Sequence, residues 1–230
     1  MPICTLNGMP VSKATIDIPR IGVWHADLLV DSLVSFTGTA LIQFGSKTLY
    51  GTFARNGPDI NKKLRARVLG GAGRLSSLLP AKGFRLVPLR IPLTDTLKSC
   101  GEVLSPISDP QILNIVLDTW IRLQMTGSQA IDAILQAVTT TVPSWRMLLD
   151  GTLWVGYEYW GKSSTVDAVP LYSEPERGNI TFYSIDPIIL PGQTLAYSVP
   201  GVGLVSKKVS YVRHWLTPRR MHTTVYYEDN

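Results

Sequence analysis

Residues 145–156 have the sequence WRMLLDGTLWVG, and this stretch predicts its own conformation more clearly than any other in the chain. Asp150 and Gly151 lie between two runs of apolar and aromatic residues. An Asp-Gly pair in that setting favours the tight turn of a β-hairpin. The segment therefore predicts two short antiparallel strands, and from Trp145 onward the hydrophobic pattern has a period of two.

Period-two patterning also extends outward from this hairpin in both directions. Residues 24–30 alternate between apolar and more polar positions, which is typical of a strand with one buried face. Several short strands with glycine-containing turns predict a small barrel or sandwich in the N-terminal part. The further strand candidates are residues 41–44, 48–54, 63–68, 84–91, 179–185, 203–215 and 221–227.

Between Leu93 and Val142 the apolar period changes to that of a helix. The pattern predicts three helices: one capped by Thr94, one opened near Asp109 and Pro110 that continues through residues 112–120, and one capped by Ser128.

We therefore predict a mainly β protein of the α+β class, with barrel-like β domains flanking a short helical segment. The expected boundaries are a barrel-like β domain over residues 1–91, the helical segment over 92–142, and a C-terminal β domain over 143–230. No internal repeat is visible in the sequence.

The composition favours a chain whose surface is partly covered by other chains. Hydrophobic residues make up 45% and charged residues 17% of the 230, against a charged share of about a quarter in typical soluble domains. Cys4 and Cys100 fit no zinc site, and both a single disulfide and two free thiols are compatible with them. The N-terminal residues lack a signal-peptide pattern, and no apolar run is long enough for a membrane span, so we expect a soluble product of a cytoplasm.

The sequence contains no recognisable catalytic, metal or cofactor motif. His25, His214 and His222 stand in no metal-binding pair, no serine lies in a GxSxG elbow, and the glycine run at residues 70–73 lacks the Lys-Ser/Thr of a phosphate loop. We therefore predict no enzyme activity, no metal and no cofactor. A loose acidic cluster keeps a hydrolase open as an alternative: Glu158, Asp167, Glu174 and Glu176.

Lys63, Arg65 and Arg67 alternate with apolar residues, so the three cations are predicted to share one face of a strand. That face is either solvated or turned toward a channel or an acidic partner. In a ring its charge would be multiplied by the number of copies.

Large aromatic residues crowd one segment after the hairpin. We predict that Trp154, Tyr157 and Trp160 serve packing or an interface. Strict alternation would place Trp154 on the opposite face from Tyr157 and Tyr159. The alternative to an interface is that these aromatic residues pack into a two-layer core within one chain.

Two segments resemble tailed-phage baseplate and tail-hub proteins. Residues 90–97 (RIPLTDTL) and 100–105 (CGEVLS) are similar to their strand, D-x-L and A/C-G-E-x-L-S stretch. Residues 145–156 resemble the W-R-x-L-x-D-G-T-x-W-V-G hairpin that follows the helical segment in those proteins. The C-terminal run, from residues 191–195 to 209–214 and 223–227, fits their closing strands more loosely.

The resemblance implies a non-enzymatic part of a virion baseplate, made in the host cytoplasm. It implies a homo-oligomeric ring, commonly a trimer, that joins the six-fold tail tube to the three-fold central spike and passes DNA without sequence preference during ejection. The implied partners are tail-tube and spike or baseplate proteins. The alternatives are a wedge-like or distal tail part, a tail-tip peptidoglycan hydrolase, and a β-rich nucleic-acid binder.

Overall fold

The structure, a computed structural model, describes residues 3–32, 34–58, 63–138, 141–158, 160, 163–165, 170–183, 189–199, 203–217 and 220–228. The strands in these ranges are β1 (Cys4–Leu6), β2 (Met9–Pro19), β3 (His25–Val30), β4 (Thr39–Phe44), β5 (Lys47–Pro58), β6 (Leu64–Gly70), β7 (Leu78–Leu79), β8 (Lys82–Pro88), β9 (Val116–Arg122), β10 (Met125–Thr126), β11 (Ser144–Met147), β12 (Leu153–Gly156), β13 (Ser163–Thr165), β14 (Tyr172–Glu174), β15 (Asn179–Tyr183), β16 (Thr194–Val199), β17 (Gly203–Leu216) and β18 (Met221–Glu228). The helices are α1 (Arg90–Ser99), α2 (Pro110–Leu113) and α3 (Gly127–Gln136), with one 3₁₀ turn at Pro175–Arg177.

Six N-terminal strands form a closed barrel in the order β1-β4-β5-β6-β3-β2, because β1 also pairs with β2. The alternation of side chains along each strand decides which of them fill the interior of the barrel. Leu64, Ala66 and Val68 of β6 are buried, and the residues between them face outward. The predicted mainly β fold is therefore confirmed.

A second sheet continues from the barrel through β17. Its strands have the order β14-β15-β18-β17-β16-β13, and the second half of β17 pairs with β2 of the barrel. This sheet has a core of its own, which includes Ile180, Phe182, Leu195 and Val212. We call the barrel the first module and the sheet β13–β18 the second module.

The two modules have the same strand order. Numbered from its own first strand, each module has the spatial order 1-4-5-6-3-2. All pairings within that path are antiparallel in both modules except one, since β13 is parallel to β16 whereas β1 is antiparallel to β4. The described residues include no pairing of β13 with β14 that would match the closure of the barrel. The chain thus contains a topological repeat that its sequence does not display.

A bulge marks the same point in both modules. The register between β5 and β6 shifts at Ala54, and the register between β17 and β18 shifts at Ser210. Each of these residues is the eighth of its strand. An extra residue bends a strand and increases its twist, so both long strands change direction at equivalent positions.

The hairpin predicted at Asp150 and Gly151 is confirmed by the pairing of β11 with β12. Gly151 has a φ of +80°, which favours glycine. The hairpin predicted around Gly45 is also confirmed, as β4 and β5, and so is the closing hairpin of β17 and β18.

The predicted helices are only partly correct. Helix α1 begins at Arg90 rather than at Thr94, and α3 is capped by Thr126, whose hydroxyl accepts from the N–H of Gln129, rather than by Ser128. Asp109 caps α2 as expected, by accepting from Gln111.

The predicted helix through residues 112–120 is wrong beyond Leu113. Residues Val116–Arg122 form β9, which pairs with β8. Leu117 and Trp120 are both buried and lie three residues apart, which imitates a helical stripe. The β-branched residues between and around them favour the strand.

Both cysteines are buried free thiols. Cys4 lies in β1 and Cys100 follows α1. Burial raises the pKa of Cys4 to about 12, so this thiol is unreactive near neutral pH.

We predict that Gly70→Ala destabilises the fold. Trp24 is 0% exposed, and a Cβ added at Gly70 would lie 2.6 Å from its Nε1 and 2.9 Å from Cγ of Met147. Such overpacking costs about 1–3 kcal/mol, which urea denaturation would measure. Gly83→Ala is the matched control, since a Cβ there meets nothing within 4 Å. Equal stability of the two variants would contradict this account of the core.

Candidate assembly surfaces

Lys63, Arg65 and Arg67 lie on one outward face of the first module, as the sequence predicts. Two of them have acidic partners next to β6. Nζ of Lys63 lies 2.5 Å from a carboxylate oxygen of Asp31, and Arg67 donates two hydrogen bonds of 3.0 and 2.8 Å to Asp27. The sequence pattern predicts the shared face but not these partners, which neutralise two of the three cations.

A polar cleft of about 420 Å³ lies on this face, across β5 and β6. We call it the arginine cleft. Within the part of the chain that the structure describes, Arg55 and Arg65 have no ion-pair partner. A Cβ at Gly57 would meet nothing within 4 Å, so there is space beside these two guanidinium groups. The lining residues are Asp27, Arg55, Asn56, Gly57, Pro58, Arg65 and Arg67.

Three arginines against one carboxylate make the arginine cleft suited to an anion. A guanidinium presents a planar fork of donors that matches a carboxylate or a phosphate. That this face meets a lumen or a partner stays a prediction.

A buried charge cluster lies where the two modules join. The Asp17 side chain is 4% exposed, and its Oδ1 accepts hydrogen bonds of 2.5 Å from the Tyr211 hydroxyl and from Nε of Arg213. Its Oδ2 lies 3.1 Å from Nε2 of His25. We call these four residues the junction cluster.

Hydrogen bonds within the junction cluster stabilise the charged form of Asp17. Burial would raise the pKa of Asp17, but hydrogen bonds from His25, Arg213 and Tyr211 outweigh it and lower that pKa well below its ordinary value. Burial and the neighbouring Asp17 raise the pKa of Tyr211 to about 12. The carboxylate is therefore held as an anion by fixed donors, which is the arrangement of a structural ion pair.

The predicted interface aromatics have partners within the chain. The Arg146 guanidinium lies 4.3 Å from the Trp154 ring centroid and forms an ion pair of 2.5 Å with Glu158. Arg20 and Lys208 lie 5.7 and 5.5 Å from the Trp160 ring centroid. Each tryptophan thus packs against cations of its own chain.

The expectation that Trp154 and Tyr157 face opposite ways is wrong. Strand β12 ends at Gly156, so alternation does not extend to Tyr157, and both rings line one cleft of about 690 Å³. Tyr157 is 42% exposed at that cleft. Tyr159 lies outside the described residues. Use of these aromatics in an interface stays a prediction.

The turn that contains the glycine run, residues 70–73, binds the carboxylate of another residue in the same chain. The Glu102 carboxylate accepts from the N–H groups of Ala72, at 2.9 Å, and of Arg74, at 3.4 Å. Burial raises the pKa of Glu102, although these backbone donors favour its anion. Glu102 belongs to the CGEVLS motif, so this motif fastens the turn after β6 to the segment after α1.

The acidic residues that keep a hydrolase open as an alternative have different surroundings. Glu158 pairs with Arg146, Glu174 accepts from Asn179 at 3.1 Å, and Glu176 is exposed. Asp167 lies outside the described residues.

His214 is a core residue. Its Nδ1 lies 2.8 Å from the Thr223 hydroxyl, and burial lowers its pKa to about 4, so it is neutral at pH 7. No group of three potential metal ligands occurs within the ranges that the structure covers. Among the described helices, none is long and apolar enough to cross a bilayer.

The whole chain has close structural counterparts. It aligns over 98% of its length with 95% of the prophage MuSo2 43 kDa tail protein from Shewanella oneidensis, with a TM-score of 0.70 and 10% identity. It aligns over 99% with 96% of the tail protein from Neisseria meningitidis MC58, with a TM-score of 0.70 and 13% identity. The fold is that of phage tail proteins.

A third counterpart comes from a secretion system. The chain aligns over 99% of its length with 77% of the Escherichia coli c3393 protein, with a TM-score of 0.64 and 10% identity. That protein is described as a component of the type VI secretion system with structural similarity to the T4 tail proteins gp27 and gp5. No protein-family model and no curated protein matches the sequence.

We predict that Asp17→Asn destabilises the folded chain by about 1–3 kcal/mol at pH 7, because it leaves Arg213 without its counter-charge. The folded-state pKa of Asp17 is lowered, so its contribution is complete above the unfolded-state pKa and declines as pH falls below about 4. Urea denaturation should show a constant gap between wild type and variant from about pH 5 to 7 and a narrowing gap below about pH 4.

Asp118→Asn is the control for this measurement, since Asp118 is an exposed carboxylate on β9. A gap for Asp17→Asn that widened as the pH fell would contradict the account of the junction cluster.

Proposed function

We propose that this chain is a structural component of a phage tail baseplate, and specifically the hub ring that joins the tail tube to the central spike. The observation that carries the proposal is the topological repeat: two six-strand modules joined by β17, in a fold shared with solved tail proteins over nearly the whole chain.

The repeat supports the symmetry that a hub needs. A hub meets a six-fold tube on one side and a three-fold spike on the other. Three copies of a chain with two equivalent modules present six similar modules and also three identical chains. Closed rings of this kind bury exposed strand edges between neighbours.

The proposed role is mechanical rather than enzymatic. Three of the acidic and histidine side chains considered above have partners within the chain: Glu158 pairs with Arg146, Glu174 accepts a hydrogen bond from Asn179, and His214 lies beside the Thr223 hydroxyl. Rigidity comes from the closed barrel and from the pairing of β17 with β2.

Passage of DNA through the ring is part of the proposal. The net charge of +5 per chain tolerates a polyanion. Lys63, Arg65 and Arg67 support a lumen-facing role only weakly, because Asp31 and Asp27 neutralise two of the three cations. A partner-facing role fits these residues better.

Imaging of the intact particle tests the proposal by locating this chain and counting its copies. We expect three copies in a ring between the tube and the spike. Six copies would assign the chain to a wedge-like or distal tail part and would contradict the hub role. A solitary copy would contradict assembly into a ring altogether.

A further inference from the structure

Arg65 of β6 has no counter-charge on either neighbouring strand. The register places it opposite Gly57 of β5 on one side and opposite Leu29 of β3 on the other. Its neighbour on the same face of β6, Arg67, lies opposite Asp27 instead and donates two hydrogen bonds to that carboxylate. Strand β3 therefore neutralises one arginine of this pair and leaves the other exposed.

The bulge in β5 adds a second arginine at the same place. Phe53 lies opposite the buried Val68 and packs against the barrel core. In a regular strand Arg55 would point to the same side as Phe53, because side chains alternate with a period of two. The extra residue, Ala54, reverses the alternation, so Arg55 faces outward, opposite Arg67. Bulges commonly redirect a side chain in this way next to functional sites.

The resulting charges are unfavourable for the isolated chain. Arg55 and Arg67 lie directly opposite each other, and like charges in that position destabilise a sheet. Arg65 is two residues from Arg67 on the same face. Among the described residues, Asp27 is the single carboxylate that lines the arginine cleft. Three cations thus share one counter-ion, and a bound anion would relieve their repulsion.

Gly57 leaves the space that such an anion needs. A Cβ built on Gly57 meets nothing within 4 Å, and the cleft around it has a volume of about 420 Å³. Arg65 is directly across from Gly57, about 5 Å away, and Arg55 is about 7 Å away along the strand. A carboxylate above Gly57 would therefore be within reach of both guanidinium groups.

The surrounding charges favour an acidic protein side chain over a nucleic acid. A phosphate backbone is a line of negative charge and binds best along a line of cations. On this face Lys63 and Arg67 are already paired with Asp31 and Asp27, whose side chains are each 47% exposed. These carboxylates would repel neighbouring phosphates, whereas a single acidic side chain in the cleft would avoid them.

We propose that the arginine cleft binds an aspartate or glutamate side chain of a different tail protein, with the carboxylate above Gly57 and hydrogen-bonded by Arg55 and Arg65. A guanidinium fork matches a carboxylate in one plane, so the two arginines hold it from two sides. The inference deepens the partner-facing role under the proposed function, and it rests on that function because it takes the partner from the same particle.

Peptide binding to the isolated full chain tests the cleft. The probe is a fluorescent, acetylated and amidated decapeptide of alternating glutamate and threonine, and the reference peptide has glutamine in place of glutamate. Fluorescence anisotropy should show tighter binding of the glutamate peptide. Arg55→Ala and Arg65→Ala should each weaken that binding by about tenfold, since each removes a hydrogen bond between charged groups.

Arg85→Ala is the matched control for these variants. Arg85 is an exposed arginine on β8 with no ion-pair partner among the described residues, and its loss should leave peptide binding unchanged. Gly57→Leu should block the cleft without changing its charge, whereas Gly83→Leu, at an equally open position, should not affect binding. Equal binding by wild type and both cleft arginine variants would overturn the site, and so would an equal loss in Arg85→Ala.

Urea denaturation separates a binding role from a structural one. Because Arg55→Ala removes the repulsion with Arg67, the urea midpoint should stay unchanged or rise. A lower midpoint would show that Arg55 stabilises the fold and would contradict the repulsion on which the inference depends.

A DNA duplex of arbitrary sequence tests the other occupant. We expect Arg55→Ala and Arg65→Ala to weaken peptide binding by a larger factor than duplex binding. Duplex binding that requires both arginines, without binding of the peptide, would assign the cleft to phosphate and overturn the inference.

Cross-linking in the assembled particle separates this inference from the hub role. In particles that carry Arg65→Lys, a carbodiimide joins the new amine to a carboxylate in contact with it. We expect mass spectrometry to find residue 65 linked to an acidic residue of a different tail protein. A link to another copy of this chain, or no link between proteins, would overturn the inference even if imaging finds three copies. A link to a different tail protein together with six copies would support the cleft and contradict the hub ring.

Discussion

The pairing of β17 with β2 is the constraint on which the rest of the architecture depends. Strand β17 has 14 residues, and it pairs with β16 along its first half and with β18 on one side and β2 of the barrel on the other along its second half. Asp17 lies at the centre of that contact with donors from both modules. A buried carboxylate is unfavourable unless it is fully hydrogen-bonded, so the junction is stable only when both modules are folded and in register.

The bulges explain how one long strand can serve two neighbours. At Ser210 the extra residue bends β17, so the strand leaves β16 and reaches β2. At Ala54 the same device bends β5 away from β4 after residue 52. The first bend leads β17 to β2, and the second leads β5 to the segment 36–38, where the Phe53 N–H donates to the Gly38 carbonyl and the Phe36 and Phe53 rings stack. The same device therefore serves two different contacts within the chain.

The sequence predicts local pattern well and long-range register poorly. Alternation in residues 63–68 was sufficient to place Lys63, Arg65 and Arg67 on one face, and the Asp-Gly pair was sufficient for the hairpin at residue 150. The acidic partners Asp27 and Asp31 were not predictable, because their contacts depend on the register of β3 against β6. The repeat is not visible in the sequence for a related reason, because strand order resides in backbone pairing. Asp27 and Asn179 each lie two strands from the first residue after a bulge, yet their side chains differ.

The middle of the chain shows where local pattern misleads. Leu117 and Trp120 have helical spacing, yet they lie in β9. Glu102 belongs to a motif in the sequence, but its contact with the backbone of residues 72–74 requires that the turn after β6 meets the segment after α1. Alternation does not predict the orientation of Tyr157, because β12 stops at Gly156 and the alternation of side chains ends with the strand.

The charges at the junction of the two modules are more buried than the charges on the outer edges of the modules. The junction buries Asp17 among three donors, whereas the side chains of Arg213 and His25 are each 33% exposed. The surfaces beside β5 and after β14 carry exposed charges instead, with Arg55 and Arg65 near β5 and Glu176 after β14. Charges and a proline such as Pro58 at a strand edge discourage indiscriminate pairing. The exposed charges therefore disfavour indiscriminate pairing of both edges with other strands.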